Sequence, residues 1–165
     1  MMKISDALKV IYDGISNPCD GLPEDVFLFV SGITPMINVD LLIKDERNRT
    51  LLSWRDDTYC GTGWHVPGGI IRFKETIENR IIEVAKVEIG TPVEFEPGPV
   101  AICQTIIAES RTRGHFISLL FKCFLSEQFV LNSTGLSVND AGFLAWHEKC
   151  PENLIPMQDM YRNYF

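Results

Sequence analysis

Residues 68–91 read GGIIRFKETIENRIIEVAKVEIGT, and the reading of this stretch decides the fold. The pair Gly68-Gly69 marks a turn, Glu75 follows Gly69 after five intervening residues, and Thr76 to Ile89 carries a helical pattern stopped by Gly90 and Pro92. On one continuous α-helix, positions 84, 87 and 88 are three and four residues apart and share a face. That face reads Val84, Val87 and Glu88, so it offers a single carboxylate. A hard cation such as Mg2+ wants near-octahedral oxygen ligands at roughly 2.0–2.1 Å. Glu88 would therefore need help from backbone carbonyls, water, a ligand's phosphates or a side chain elsewhere. The plainer alternative is an amphipathic helix after a glycine turn.

The other features bound the answer from outside. With 165 residues the chain has the size of one domain with one sizeable core. Its 22 acidic and 15 basic residues give a net charge of -7, which argues against nucleic-acid binding through a broad basic face, so a phosphate site has to be local. Five scattered cysteines with no Cys-x-x-Cys pair read as reduced thiols, neither a disulfide framework nor a zinc site. The start, Met-Met-Lys-Ile-Ser-Asp, has no apolar core of a leader, and the apolar run Val26 to Val30 is too short to span a bilayer. A cytoplasmic protein with no membrane or nucleic-acid partner is the expectation.

Along the chain, Ser5 is read as the cap of a first helix reaching Asn17-Pro18, and Pro23-Glu24-Asp25 opens a second through Ser31. These form an N-terminal helical extension over 1–33, expected to serve packing or dimer contact. Phe27, Phe29 and Val30 suit a homodimer interface and suit a core equally well. Met36 to Ile43 and Leu51 to Arg55 read as strands of a hairpin around the polar run Asp45 to Arg49. Trp64 to Val66, Val100 to Ile107, His115 to Leu125 and Phe143 to Trp146 are further strands, 132–142 is a Ser/Asn/Gly-rich loop, and Glu152 to Tyr161 is a terminal helix. The expected class is α/β: a mixed sheet with the 76–89 helix on one face and another helix on the other.

The stretch 68–91 resembles the Nudix box: Gly, five residues, Glu, seven residues, then Arg-Glu-apolar-x-Glu-Glu-x-Gly-apolar. Gly69, Glu75, Ala85, Glu88 and Gly90 fit it; Glu83 stands at the arginine, Val84 and Val87 at two metal-binding glutamates, and Thr91 at the last apolar position. The resemblance implies a Nudix α/β/α sandwich over 34–165 that hydrolyses nucleoside diphosphate derivatives with Mg2+ or Mn2+. Within the family, the GDP-mannose mannosyl hydrolase branch lacks the same two glutamates and directs water at the sugar carbon. Thr34-Pro35, Asp40, Leu51-Leu52, Arg55, Trp64-x-Val66-Pro67-Gly68-Gly69, His115-Phe116, Trp146 and Tyr164-Phe165 match that branch.

What the branch implies can be carried over position by position. Metal ligands fall on the Gly68 carbonyl, Glu88 and Asp140, the last by counting back six residues from Trp146. Arg55 falls on an arginine that contacts the diphosphate, and Asp40 on an active-site aspartate. The branch's base histidine falls on Ala141, which accepts no proton, so Asp140 or His115 is left to activate water. Phe116 stands at an active-site tyrosine and Ile70 and Glu83 at phosphate arginines, with Arg72, Arg111 and Arg113 as candidates to restore the positive charge. Glu75 and Glu83 would repel in the family geometry, and Arg80 is placed to neutralise Glu83. Three functions remain open: hydrolysis of a nucleotide sugar to nucleoside diphosphate and free sugar, ordinary hydrolysis at phosphorus, and nucleotide-sugar binding without catalysis.

Overall fold

Strand β1 (Met36–Ile43) organises the molecule because both of its faces are covered. Val39, Leu41 and Ile43 are fully buried on one side, Asp40 and Leu42 nearly so on the other, which is the signature of a strand between two layers. The computed structural model describes residues 3–131, 133 and 135–165. β1 lies in a mixed sheet between β4 (Gly68–Ile70), antiparallel to it, and β7 (His115–Phe124), parallel to it; β5 (Glu94–Phe95) and β6 (Ala101–Ile106) both pair with β7. A second sheet runs β3-β2-β8, from β2 (Thr50–Asp57), β3 (Gly61–His65) and β8 (Leu144–His147).

The expected hairpin of β1 with β2 does not form. The strands meet at one bridge, Lys44 with Thr50, because β4 and β7 already occupy both edges of β1 and β2 finds its partners in the other sheet. The turn between them is as polar as its sequence suggests: Asp45 accepts hydrogen bonds from the Arg47 and Arg49 amides and pairs with the Arg49 guanidinium at 2.7 Å. The antiparallel pair β6–β7 around 107–114 is as expected, while short β5 carries no pattern long enough to read.

Two cores follow from the two faces of β1. On one, α3 (Ile77–Val84) and the turn after it bring Ile81, Val84, Ala85 and Ile89 against Val39, Leu41 and Ile43. On the other, Leu42 and Leu120 meet Trp54, Trp64, Val66 and Tyr161. Tyr161 comes from a terminal 3₁₀ helix, Pro156–Tyr164, which replaces the expected helix over 152–161. Of the expected loop 132–142, Asn132 and Thr134 lie outside the described residues.

The box helix is not one α-helix. Thr76 caps it by accepting from the Asn79 amide at 3.1 Å, but from Ala85 to Ile89 the backbone is π-helical, closed by the Gly90 amide donating to the Ala85 carbonyl at 3.0 Å. Gly90, at φ +80, takes the left-handed closing position that suits glycine. The widened turn redistributes the face. Val84 is buried, Glu88 is partly covered, and Val87 points into solvent at 77% exposure.

At the other end of the chain, α1 (Ile4–Asp13) starts one residue before Ser5, with the Asp6 carboxylate accepting from the Lys3 amide, and ends at Gly14, short of the expected Asn17-Pro18. α1 buries none of its residues. Helix α2 (Glu24–Ser31) is anchored by Ser31, whose hydroxyl donates to the Leu28 carbonyl and accepts from the Arg113 amide.

Candidate active site

A cavity of about 850 Å³ opens between the second core and the N-terminal helices, within the size range of small-molecule sites. β1 contributes Asn38 and Asp40, β7 contributes Phe116 and Ser118, and the parallel register sets Asn38 beside Ser118. Arg55, His65 and Gly68 arrive from β2, β3 and β4. The extension supplies Tyr12, Ile15, Leu22, Phe27 and Val30. Phe27 and Val30 face the cavity, and of the three suggested interface residues Phe29 alone is largely exposed.

Asp40 is 3% exposed and accepts a 2.6 Å hydrogen bond from the Tyr161 hydroxyl. Burial pushes its carboxyl up to about 6; hydrogen bonds from Tyr161 and Ser118 oppose that rise, and the Glu88 charge adds to it. Its own burial, and after it the Asp40 charge and hydrogen bond, push the Tyr161 phenol upward. The neighbouring strand must carry glycine here. Asp40 and Gly68 face each other across the β1–β4 ladder, and a Cβ on Gly68 would run into the Asp40 carboxylate. The flanking ladder bonds, Leu41 amide to Pro67 carbonyl and Ile71 amide to Ile37 carbonyl, make Asp40 and Gly68 a non-hydrogen-bonded pair. The Gly68 carbonyl consequently points away from β1.

His65 is the residue that the sequence reading passed over. It is 4% exposed, and its Nδ1 lies 2.8 Å from the Ser53 carbonyl, an acceptor only, so Nδ1 carries a proton. Nε2 then faces two groups, the Glu88 carboxylate at 3.1 Å and Arg55 Nη2 at 3.4 Å. A carboxylate accepts and a guanidinium donates, so Nε2 has a partner with or without its proton. The signal was present in Trp64-His65-Val66: on a strand flanked by buried apolar residues, an interior histidine requires polar partners.

Arg55, Arg72 and Arg113 line the cavity. Arg55 meets Asp57 at 3.5 Å and Cys60 Sγ at 3.4 Å, and among the described residues neither Arg72 nor Arg113 makes an ion pair. Of the three arginines suggested to restore positive charge, Arg72 and Arg113 lie on the cavity wall and Arg111 does not. Phe116 lies on that wall, fully covered, as part of its apolar lining.

The remaining sequence candidates are placed elsewhere. His115 precedes Phe116 on β7, and successive strand residues face opposite ways, so its ring lies on the far side of the sheet, 2.9 Å from Gln104 Nε2. Asp140 is not on the cavity wall; its carboxylate accepts from the Ser137 amide at 2.7 Å, the local turn geometry open to an aspartate in such a loop. Glu88 is joined to the cavity through His65. Arg80 does not neutralise Glu83: it grips Glu75 with two bonds of 2.8 and 2.7 Å, one turn before the family's arginine position, while Glu83 reaches Lys86 at the surface.

These positions test the fit of a divalent cation. Among the described residues no three His, Cys, Asp or Glu side chains converge as a metal cage. The Gly68 carbonyl and the Glu88 carboxylate would offer such a cation two oxygens, one Glu88 oxygen being already engaged by His65. The set suits a cation that arrives with a ligand's phosphates; it does not suit one held by protein alone.

The described residues contain no helix long and apolar enough to cross a membrane. No protein-family model matches the chain. Solved structures do. A MutT Nudix hydrolase from Burkholderia pseudomallei superposes with TM-score 0.60 at 18% identity, over 79% of this chain and 98% of that one. The chain has the Nudix fold. A MutT protein from Methanosarcina mazei matches at TM-score 0.58, 17% identity and 80% and 91% coverage. A UDP-X diphosphatase matches at TM-score 0.56 and 14% identity over 99% of this chain, the Nudix domain and the extension together, and 68% of its own. In sequence, the low-salt glycan biosynthesis protein Agl8 of Haloferax volcanii is 32% identical over 79 residues, 48% of this chain and half of that protein's length.

Proposed function

We propose that this cavity takes a nucleoside diphosphate sugar and that the protein hydrolyses it to nucleoside diphosphate and free sugar. The observation that carries the reading is His65 Nε2, set between Glu88 and Arg55 on the cavity wall. A buried imidazole anchored through Nδ1 is a fit acceptor for a water proton at Nε2. Water oxygen bonds to the anomeric carbon, the bond from that carbon to the β-phosphate oxygen breaks, and its electron pair leaves with the diphosphate. The water proton passes to Nε2, and Glu88 accepts a hydrogen bond from the imidazolium. Arg55, Arg72 and Arg113 neutralise the departing charge. Mg2+ or Mn2+ on the diphosphate, held by Glu88 and the Gly68 carbonyl, would add Lewis-acid stabilisation there. Asp40, beside Gly68, orients the sugar.

A second reading places the attack at phosphorus and yields a nucleoside monophosphate and a sugar phosphate. The similarity to a UDP-X diphosphatase along nearly the whole chain supports it; the helix with one carboxylate in place of three weighs against it. Incubation with GDP-mannose and other nucleotide sugars in H₂¹⁸O, with Mg2+ or chelator, separates them. Nucleoside diphosphate with ¹⁸O in the sugar is the expected result; label in a phosphate moves the chemistry to phosphorus. His65→Gln should lower turnover by about 10²–10⁴ with ligand binding retained, and unchanged turnover would remove His65 from the chemistry. Binding with no product from any nucleotide sugar would leave a binding protein.

A further inference from the structure

Two side chains on the cavity wall carry buried polar atoms with no hydrogen-bond partner among the described residues, Asn38 Oδ1 and Arg113 Nε. One is an acceptor and the other a donor. Buried polar groups are ordinarily paired, so a cavity with one of each is built for a ligand that supplies both partners. Arg113 is also mounted with care. Its backbone sits at φ +52, uncommon for a large residue, and its guanidinium carbon lies 4.6 Å from the Tyr59 ring centre and 5.4 Å from that of Phe27. Cation–π attraction to both rings holds the guanidinium in place, and its Nη donors suit an oxyanion.

The N-terminal extension holds this mount together. The Arg113 amide donates to Ser31 at the end of α2, and residue 32 must be glycine because a Cβ there would stand 2.7 Å from the Arg111 carbonyl. At the start of α2, the Tyr59 hydroxyl donates to Glu24 at 3.2 Å. Helix α2 thus ties together the loop before β3, which carries Tyr59 and Cys60, and the β6–β7 turn. Helix α1 is amphipathic yet buries no residue, while Tyr12 at its end and Ile15 just beyond it line the cavity.

We infer that the cavity-lining part of the extension, from Tyr12 to Val30, together with Asn38 and Arg113, is the nucleotide-holding wall of the site: Arg113 clamps a phosphate, Ile15, Leu22 and Phe27 cover the base, and Asn38 accepts a hydrogen bond from the ligand. This rests on the reading of the ligand as a nucleoside diphosphate derivative. A ligand on this wall covers Tyr12 at the end of α1 and Ile15 just beyond it, so its binding protects that helix.

Calorimetry on the full chain with GDP, UDP, ADP, CDP and inorganic pyrophosphate, in Mg2+, tests the inference, with melting curves to confirm that each variant is folded. Arg113→Gln should weaken binding of the preferred nucleotide and of pyrophosphate by roughly tenfold or more, the loss expected for a charge-assisted contact. Leu22→Ser should weaken the nucleotide alone, and amide exchange over 4–13 should slow when the nucleotide is added. If wild type and both variants bind a nucleotide equally and exchange is unaltered, the inference is overturned and the nucleoside diphosphate reading stands. If no nucleotide binds the wild type, that reading falls and the inference with it.

Discussion

The two halves of the box, a loop half and a helix half, have parted ways. In the loop half, Glu75 reaches Arg80 in the first turns of α3 to form a two-bond ion pair with side chains about one-tenth exposed, and Glu75 also accepts from the Arg72 amide at 2.8 Å. In the helix half, Val84 sits in the first core, Val87 points into solvent, and Glu88 alone reaches toward the cavity through His65. The first half keeps its architecture with a substituted partner; the second gives up its cluster of carboxylates. A box can thus frame a site without furnishing its chemistry. The polar groups at the cavity come instead from β1, β2 and β3 as Asp40, Arg55 and His65.

The sharpest way to break this contrast is to put a carboxylate back where the fold has closed over it. A Cβ on Gly69 would stand 2.8 Å from Val84 Cγ2, so the valine fills space that leaves no room for an ionised group. Val84→Glu should lose roughly 2–7 kcal/mol, the order of cost for an unpaired polar group in an apolar setting, enough to unfold much of a domain stable by about 5–15 kcal/mol. Urea unfolding measures it. A folded variant with near-native stability would mean that the face at 84 is open to the site after all.

Removing the clamp comes next. Arg80→Ala leaves the mostly buried Glu75 uncompensated and should cost about 3–5 kcal/mol. Replacing both partners by apolar residues, Glu75→Leu with Arg80→Met, should recover part of that loss, because no charge is left stranded. If the double variant is as unstable as the single, the pair does more than satisfy itself.

The sequence made the architecture legible where a pattern was long: β1, the β6–β7 pair, both N-terminal helices and the α/β layering follow from periodicity and stops. It failed where a residue's partner lies far along the chain. The residues beside His65, Trp64 and Val66, show that it needs a polar partner but not which one, and Glu88 lies 23 residues on; His115 sits on the outer face of β7. Counting from Trp146 placed Asp140 by analogy, but an aspartate in a Ser/Asn/Gly loop finds a backbone amide nearer than any cavity. The face of 84, 87 and 88 assumed α-helical spacing, and the π-helical turn beginning at Ala85 rotates Val87 out of it. Arg80 shows the same limit: its charge was visible, its partner was not.

Asp40 offers a smaller, pH-dependent contrast with the clamp. Its carboxyl is held at about 6 against an ordinary 3.8, so the folded protein binds this proton more tightly than the unfolded chain. The contribution is fully present below about pH 4, is lost as pH rises toward about 6, and stays lost above; it amounts to about 3 kcal/mol. Glu75, held low chiefly by its bonds to Arg80 and the Arg72 amide against the opposing effect of burial, runs the other way and loses stability as pH falls. The difference between wild type and Asp40→Asn isolates the first trend. Relative to wild type, the variant should gain by up to that amount between pH 4 and pH 7 in urea unfolding, and a constant difference would show that burial does not hold the proton on Asp40.

The smallest effect should come from Val87→Glu, which restores one of the family's carboxylates on paper. At 77% exposure the new side chain is solvated, so stability should stay within about 0.5 kcal/mol of wild type. Mg2+ affinity, read by calorimetry in the absence of nucleotide, should not rise, because a carboxylate directed into water does not converge with Glu88 and the Gly68 carbonyl. A clear gain in Mg2+ binding would place residue 87 on the site's side of the helix and restore the three-residue face that α-helical spacing implies. The same variant thus decides whether the π-helical turn, or merely the loss of two side chains, separates this box from a metal-binding one.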